Sequence, residues 1–269
     1  MHSDFIMRVA LMQFDIAWED KTRNFDKVKS LVERVIVDKP DIVVLPELAF
    51  TGYTMKPRPF EEDLEGETYH FLSELAKKHH INVLGSFIEK TGAESNPKNS
   101  AILLDRYGKH ILRYSKINQP SFLKENENYT PGNEILTKEL EGRRIGISIC
   151  YDLRHPGIFG MMAEDAECIF VIANWPHKRV EHWDTLLKAV AIWNQSYVVG
   201  VNRIGLFPSH HSGHSAIFDP WGNRIAYAKE DEEDVLVHEI DFSLVKKVRS
   251  EVTALKDRKE LSSLVYRRL

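Results

Sequence analysis

The sequence predicts one α/β domain with mixed rather than purely parallel strand pairing. Three observations carry that expectation. Residues 6–88 alternate short β-branched apolar runs with segments of helical period. The chain then switches to hairpin spacing before alternating again. Across all 269 residues there is no internal repeat, low-complexity tract or Gly/Ser linker to mark a domain boundary. With 43% hydrophobic and 28% charged residues the composition is that of an ordered globular chain. A domain of this length buries about three quarters of its unfolded surface.

Each element has a local reason. Residues 6–14, "IMRVALMQF", predict a strand. Residues 22–37 place Phe25, Val28, Leu31, Val32, Val35 and Ile36 at helical spacing. Residues 41–45, "DIVVL", form an apolar run stopped by Pro46, as in a strand buried on both faces. A second helix fits residues 67–79, with Phe71, Leu72 and Leu75 on its core face, and residues 81–88 make the next strand. This β-α-β-α-β opening implies right-handed crossovers and parallel pairing. Residues 99–105 and 109–115 flank "RYGK", a turn signal with Gly108, and predict a hairpin. Strands follow at 143–150, ending in Cys150, and at 168–173. A helix at 181–194 presents Trp183, Leu186, Leu187 and Val190. Strands at 197–202 and 214–219, the turn "DPWGN", and strands at 224–228 and 235–240 complete the pattern. The last twenty or so residues are heavily charged, predicting a helix and then an extended tail.

Composition also excludes functions. Lys plus Arg number 36 against 40 Asp plus Glu, a net charge of -4, so no basic surface calls for nucleic acid. The two cysteines, Cys150 and Cys168, are too few for a disulfide framework and suit a reducing compartment. The apolar stretch from Phe5 to Phe14 is broken by Arg8 and Gln13, with no basic region before it and no cleavage site of small residues. No apolar run approaches the ~20 residues of a spanning helix. A cytoplasmic protein without membrane association is expected.

Three polar residues stand where predicted strands end: Glu47 after "DIVVLP", Lys116 after "HILRYS", and Cys150 closing "RRIGISI". Ligands in open α/β sheets gather at such ends. Singly, a carboxylate or ammonium there reads as a solvated charge, and the Cys as a small buried hydrophobe. Together they meet one catalytic requirement. A thiol of ordinary pKa needs a neighbouring base or cation to attack at neutral pH. A carboxylate can take its proton, and an ammonium can stabilise an oxyanion built from substrate.

The surrounding sequences carry a resemblance. Residues 45–53, "LPELAFTGY", residues 114–117, "YSKI", and residues 146–156, "GISICYDLRHP", resemble the three motifs of the nitrilase superfamily of carbon–nitrogen hydrolases. "ENENYTPG" at 125–132 and "NWP" at 174–176 match further family positions, and the likeness runs from about Met7 to about Asp241. It implies a four-layer α-β-β-α sandwich as a single domain over residues 1–269, with the tail from about 249 in subunit contacts. It also implies Cys150 as nucleophile, Glu47 as general base, Lys116 as cationic oxyanion stabiliser and Glu125 as a second, pocket-shaping glutamate. The backbone N–H of Tyr151 would be the other oxyanion donor. No metal or other cofactor is required, and a homodimer or larger assembly is expected.

Within the superfamily, "YDLRHP", "ANWPHKRVEHW" and "NQSYVVGVNRIG" most resemble the ω-amidase-like branch, whose members hydrolyse the terminal amide of small ω-amido 2-oxo acids. Arg154 would grip a substrate carboxylate, or alternatively pair with Asp152. Tyr53, Trp175 and Asn174 would wall the pocket. The chain departs from close relatives at Asn118 (usually His), His155 (usually Phe), Val190 (often Arg) and Trp193 (often Glu). The last two look like an ion pair replaced by apolar packing. An N-carbamoyl amidohydrolase is the alternative activity, a nitrilase a remoter one, and a non-catalytic binding or assembly protein the alternative class. His210, His211 and His214 in "HHSGH" could suggest zinc, but Pro208 and Gly213 favour a loop that borders the pocket entrance. Cys168 reads as a buried structural thiol, and His79 and His80 as complementing a helix dipole.

Overall fold

The structure, a computed structural model, describes residues 5–259. In chain order, β1 (Ile6–Gln13), α1 (Lys21–Val35), β2 (Ile42–Val44), α2 (Glu67–His79), β3 (Asn82–Glu89), β4 (Lys98–Leu104) and β5 (His110–Ser115) build the first half. The second half contains α3 (Glu125–Asn128), β6 (Thr137–Leu140), β7 (Arg143–Ile149), α4 (Pro156–Met162), β8 (Cys168–Ala173), α5 (Val180–Asn194) and β9 (Tyr197–Asn202). A short ribbon, β10 (Ile204–Gly205) with β11 (His211–Ser212), precedes β12 (Ala216–Phe218), β13 (Arg224–Tyr227), β14 (Asp234–Asp241) and α6 (Ser243–Glu251).

Two six-stranded sheets result, ordered β14-β1-β2-β3-β4-β5 and β13-β12-β9-β8-β7-β6. The pairs β1–β2 and β2–β3 are parallel, as the opening pattern requires, and so are β7–β8 and β8–β9. The outer pairs are antiparallel, so pairing is mixed. Residue alternation explains the layering. Along β1, Val9 and Leu11 join a core shared with Ile145, Ile147 and Ile149 of β7, while Ala10 and Met12 face α1 and α2. On the far side, α4 and α5 cover the second sheet with Phe159, Trp183, Leu187 and Val190. The layers run helix, sheet, sheet, helix.

Several elements differ from the sequence expectation in instructive ways. Helix α1 ends at Val35 rather than 37, because Lys39 adopts φ 51 and Pro40 follows it. Strand β7 stops at Ile149, and Cys150 starts a helical turn instead of closing the strand. Strands β6 and β10, β11 and helices α3 and α4 carry too few periodic residues to be seen in sequence. Leu186 is half-buried, whereas Trp183, Leu187 and Val190 are fully enclosed. The pairing of β14 with β1 joins residues more than 200 positions apart, which no local pattern encodes. Val190 is in the core, and Trp193 stands 53% exposed. Residues 260–269 of the charged tail lie outside the described residues. Among the described residues no helix is long and apolar enough to cross a membrane.

Candidate active site

The strand ends bring Glu47, Lys116 and Cys150 together at one edge of the sandwich. Glu47 follows the central strand β2. The positive φ of Leu48, 44°, turns the chain sharply there, and the Leu48 N–H donates to the Ser86 hydroxyl of β3. Lys116 leaves β5 with its N–H on the Asn99 carbonyl at 2.9 Å. Cys150 sits at φ 48, a conformation that costs a non-glycine residue about 1–3 kcal/mol. That turn lifts the side chain out of the β7 direction and into the site.

The centre is a buried ionic trio. Lys116 Nζ lies 3.0 Å from Glu47 Oε1 and 2.9 Å from Glu125 Oε2, and all three side chains are buried. Glu125 is thus no solvated loop residue. The single-turn helix α3 carries it inward. Asn99, on the hairpin position opposite Lys116, donates to Glu47 Oε1 at 2.7 Å and to Glu125 Oε1 at 3.4 Å. Burial works against the charged Lys116, but Glu125 and Glu47 outweigh it and hold its pKa well above the usual lysine range. Burial pushes the Glu125 carboxyl up, opposed by Lys116. The Tyr53 ring lies 4.8 Å from Lys116 Nζ, and burial keeps its hydroxyl protonated. The ammonium donates a hydrogen bond to Glu47 Oε1 and stands in ion-pair contact with Glu125 Oε2.

Cys150 differs from a resting thiolate. Burial pushes its thiol up, the Glu47 charge adds to the effect, and Lys116 only partly opposes it. The proton therefore stays on sulfur until a base takes it, and Glu47 is the adjacent carboxylate. Asp152 braces this turn. Its carboxylate accepts from Tyr114 Oη at 2.7 Å, Asn118 N at 2.7 Å, Asn118 Nδ2 at 3.0 Å and Ile149 N at 3.3 Å. It thereby ties the cysteine turn to both flanks of Lys116, and Asn118 supplies two of those bonds. Asp152 is not the partner of Arg154.

After β8, Asn174 donates its N–H to Glu47 Oε2 at 2.8 Å and its side-chain amide to the Glu47 carbonyl. Its Oδ1 has no partner among the described residues. Trp175 is fixed by its N–H on Asn202 Oδ1 at 2.7 Å and by its indole on the Arg179 carbonyl at 2.7 Å. Asn99, Asp152 and Asn202 escaped the sequence reading. Their only signal is a polar residue inside an otherwise apolar strand or turn.

Cys150 and Lys116 open into a cavity of about 530 Å³, whose lining includes Tyr53, Tyr151, Arg154, Asn174 and Trp175. The Arg154 guanidinium lies 4.7 Å over the Trp175 ring and donates to His182 Nδ1 at 3.1 Å. The "HHSGH" segment is only partly the loop expected, because His211–Ser212 pairs as β11 with Ile204–Gly205. His211 lines the cavity, where burial and Arg203 push its imidazole down to about 4. His210 bonds Asp231 at 2.6 Å, and His214 contacts Asp184 at 2.9 Å and Glu230 at 3.3 Å. Among the described residues no group of His, Cys, Asp or Glu is arranged to hold a metal.

For His214, burial lowers the pKa, but Asp184 and Glu230 outweigh it and raise it above 6.5. A group raised on folding adds stability that is complete below its unfolded pKa and is lost as pH rises through the folded one. The Tm deficit of His214→Gln should therefore be largest below about pH 6.5 and shrink above it. A deficit that grows with pH, measured by differential scanning fluorimetry, contradicts this charge assignment.

The carbon-nitrogen hydrolase family model matches residues 8–250. A 2-oxoglutaramate amidase of Bacillus subtilis is 32% identical over 257 residues, spanning 94% of this chain and 98% of that protein. An omega-amidase YafV of Yersinia enterocolitica is 32% identical across 93% of this chain and 96% of its own. A CN-hydrolase superfamily protein of Xanthomonas campestris, solved with an arsenic adduct in its active site, superposes with a TM-score of 0.89. That structure is 29% identical and covers 97% of this chain and 99% of its own. Fold, motif order and matches over nearly the whole length agree: the chain belongs to the carbon–nitrogen hydrolase family of the nitrilase superfamily.

Proposed function

We propose that this amidohydrolase cleaves the terminal amide of a small ω-amido acid, with Cys150 as nucleophile and Glu47 as proton carrier. In the first half-reaction the Cys150 thiol gives its proton to Glu47 as sulfur attacks the amide carbon. Lys116 Nζ and the Tyr151 N–H hold the oxyanion, and Asn174 Oδ1 accepts from the amide nitrogen. Glu47 returns the proton to that nitrogen, the C–N bond breaks, and ammonia leaves a thioester on Cys150. Water, deprotonated by Glu47, attacks the thioester. The C–S bond breaks, the acid leaves, and the proton on Glu47 restores the thiol. Glu125 holds Lys116 in place and keeps its positive charge.

The observation that carries the substrate class is the charge of the cavity wall. Among the described residues its lining includes Arg154, Lys178 and Arg179 but no Asp or Glu, and the Lys116 there is already paired with Glu47 and Glu125. A carboxylate on the ligand would complement the three remaining cations. We assign Arg154, which lines the cavity from the turn that begins with Cys150, to the carboxylate at the far end of a short amide. The named activities of the Bacillus and Yersinia relatives support the same reading.

Arg154→Lys tests it. The variant keeps the charge but loses the planar fork, so kcat/KM on an acidic ω-amide should fall by roughly one to two powers of ten. A neutral amide of similar size should be hydrolysed at nearly unchanged rate. Equal losses on both, read as ammonia release, remove Arg154 from carboxylate binding. An N-carbamoyl amino acid turned over faster than any ω-amide would redirect the substrate assignment.

For assembly, we assign the helical face of α4 and α5 to pairing with a second copy, supported by exposed Met161, Ile192 and Trp193 there. The two free thiols support a reducing, cytoplasmic setting.

A further inference from the structure

We propose that Arg179 is a second specificity residue, one that selects amides with an uncharged acceptor at the 2-position, a 2-oxo carboxylate above all, and rejects 2-amino acid amides. This inference rests on the reading of Arg154 as the carboxylate anchor. The two guanidiniums come from different elements: Arg154 from the turn after Cys150, Arg179 from the turn His177–Arg179 that leads into α5. Both line the cavity and both lie on one aromatic wall. Arg154 stands 4.7 Å over Trp175 and 5.9 Å over Tyr151, Arg179 stands 5.4 Å over Phe122, and the Phe122 and Tyr151 rings meet edge-on at 6.0 Å.

Neither guanidinium has an acidic partner among the described residues. After burial, the charge of Arg179 is the largest influence lowering the Arg154 pKa, which places the two within effective repulsive reach. Two like charges held together in a mostly apolar cavity leave an opposite charge to be supplied by the ligand. One carboxylate satisfies one fork. A 2-oxo oxygen lies beside that carboxylate and offers the second fork an acceptor. A 2-ammonium group in the same place brings a third cation against two guanidiniums and gives them nothing to donate to. Rejection through an unfavourable contact is a common route to specificity.

The test uses three acids of one chain length, 2-oxoglutaramate, glutaramate and L-glutamine, with butyramide as the neutral control, and separates KM from kcat by ammonia release. Wild-type enzyme should prefer 2-oxoglutaramate to L-glutamine by roughly 10³-fold in kcat/KM. Arg179→Gln should raise KM for 2-oxoglutaramate roughly tenfold with kcat little changed, and shrink the oxo-to-amino preference by at least about tenfold. Arg179→Lys keeps the charge without the fork, so it should still reject L-glutamine while losing affinity for 2-oxoglutaramate. Butyramide hydrolysis should be unaffected in both variants. An oxo-to-amino ratio unmoved in Arg179→Gln, or a matching loss on butyramide, overturns the inference alone. A wild type that releases no ammonia from 2-oxoglutaramate or glutaramate overturns the ω-amide reading itself, and this inference with it.

Discussion

Replacing Cys150 by alanine is expected to reduce amide hydrolysis by roughly 10⁴-fold or more while leaving the fold intact. The size follows from the chemistry. Without sulfur there is no thioester, and Glu47 can only direct water at an unactivated amide. The fold should survive because the side chain, though buried, borders the cavity, so loss of its sulfur enlarges that space instead of opening a new void. Circular dichroism and Tm should thus match the wild type. Iodoacetamide gives an independent check through the second cysteine. Cys168 is enclosed in β8, and its thiol is pushed up by burial, so it should react only after Cys150. Alkylation needs the thiolate, and burial together with Glu47 raises the Cys150 pKa. Labelling at Cys150 should therefore keep accelerating above pH 8.5, where an ordinary thiol begins to level off. Peptide mass spectrometry showing Cys168 modified first, or a fully active Cys150→Ala, would sink the nucleophile assignment.

The sequence made this centre legible for a physical reason. Glu47 and Cys150 follow strands whose buried runs, "IVV" and "IGISI", are covered on both sheet faces. A polar residue at the end of such a run stands out. Lys116 was visible in the same way at the end of a hairpin. What local pattern could not show was the bracing. Asn99 is one polar residue among many until the β4–β5 register sets it opposite Lys116. Asp152 was readable only as an alternative ion-pair partner for Arg154, yet the turn after β7 drives it inward to Tyr114 and Asn118. The thiol's raised pKa was also hidden. Residue types suggest activation by Lys116, whereas burial and the larger influence of Glu47 decide the balance. The edge strand β14 and the ion pairs of His210 and His214 depend on long-range contacts, which sequence spacing does not encode.

Lys116→Met should remove activity and stability together, and a second substitution should separate them. Methionine matches the lysine stem in volume but leaves Glu47 and Glu125 buried without a cation. Breaking a buried ion pair by deleting one partner costs about 3–5 kcal/mol. In a domain of this size that lowers Tm by roughly 10 °C. Burial already pushes the Glu125 carboxyl up against the opposing Lys116, so without the cation its pKa rises further in the variant. The sign then follows: the stability deficit should be smallest at acidic pH and grow as pH rises through that value. Adding Glu125→Gln removes one of the two stranded charges and should recover part of the lost Tm. It should not recover turnover, because the oxyanion still lacks the ammonium, a loss worth roughly 10²–10³-fold in kcat. Wild-type Tm in Lys116→Met would show that the trio is not ionised as Lys116 with two carboxylates. Activity returning in the double variant would show that Lys116 supports the fold and leaves the oxyanion to the Tyr151 N–H.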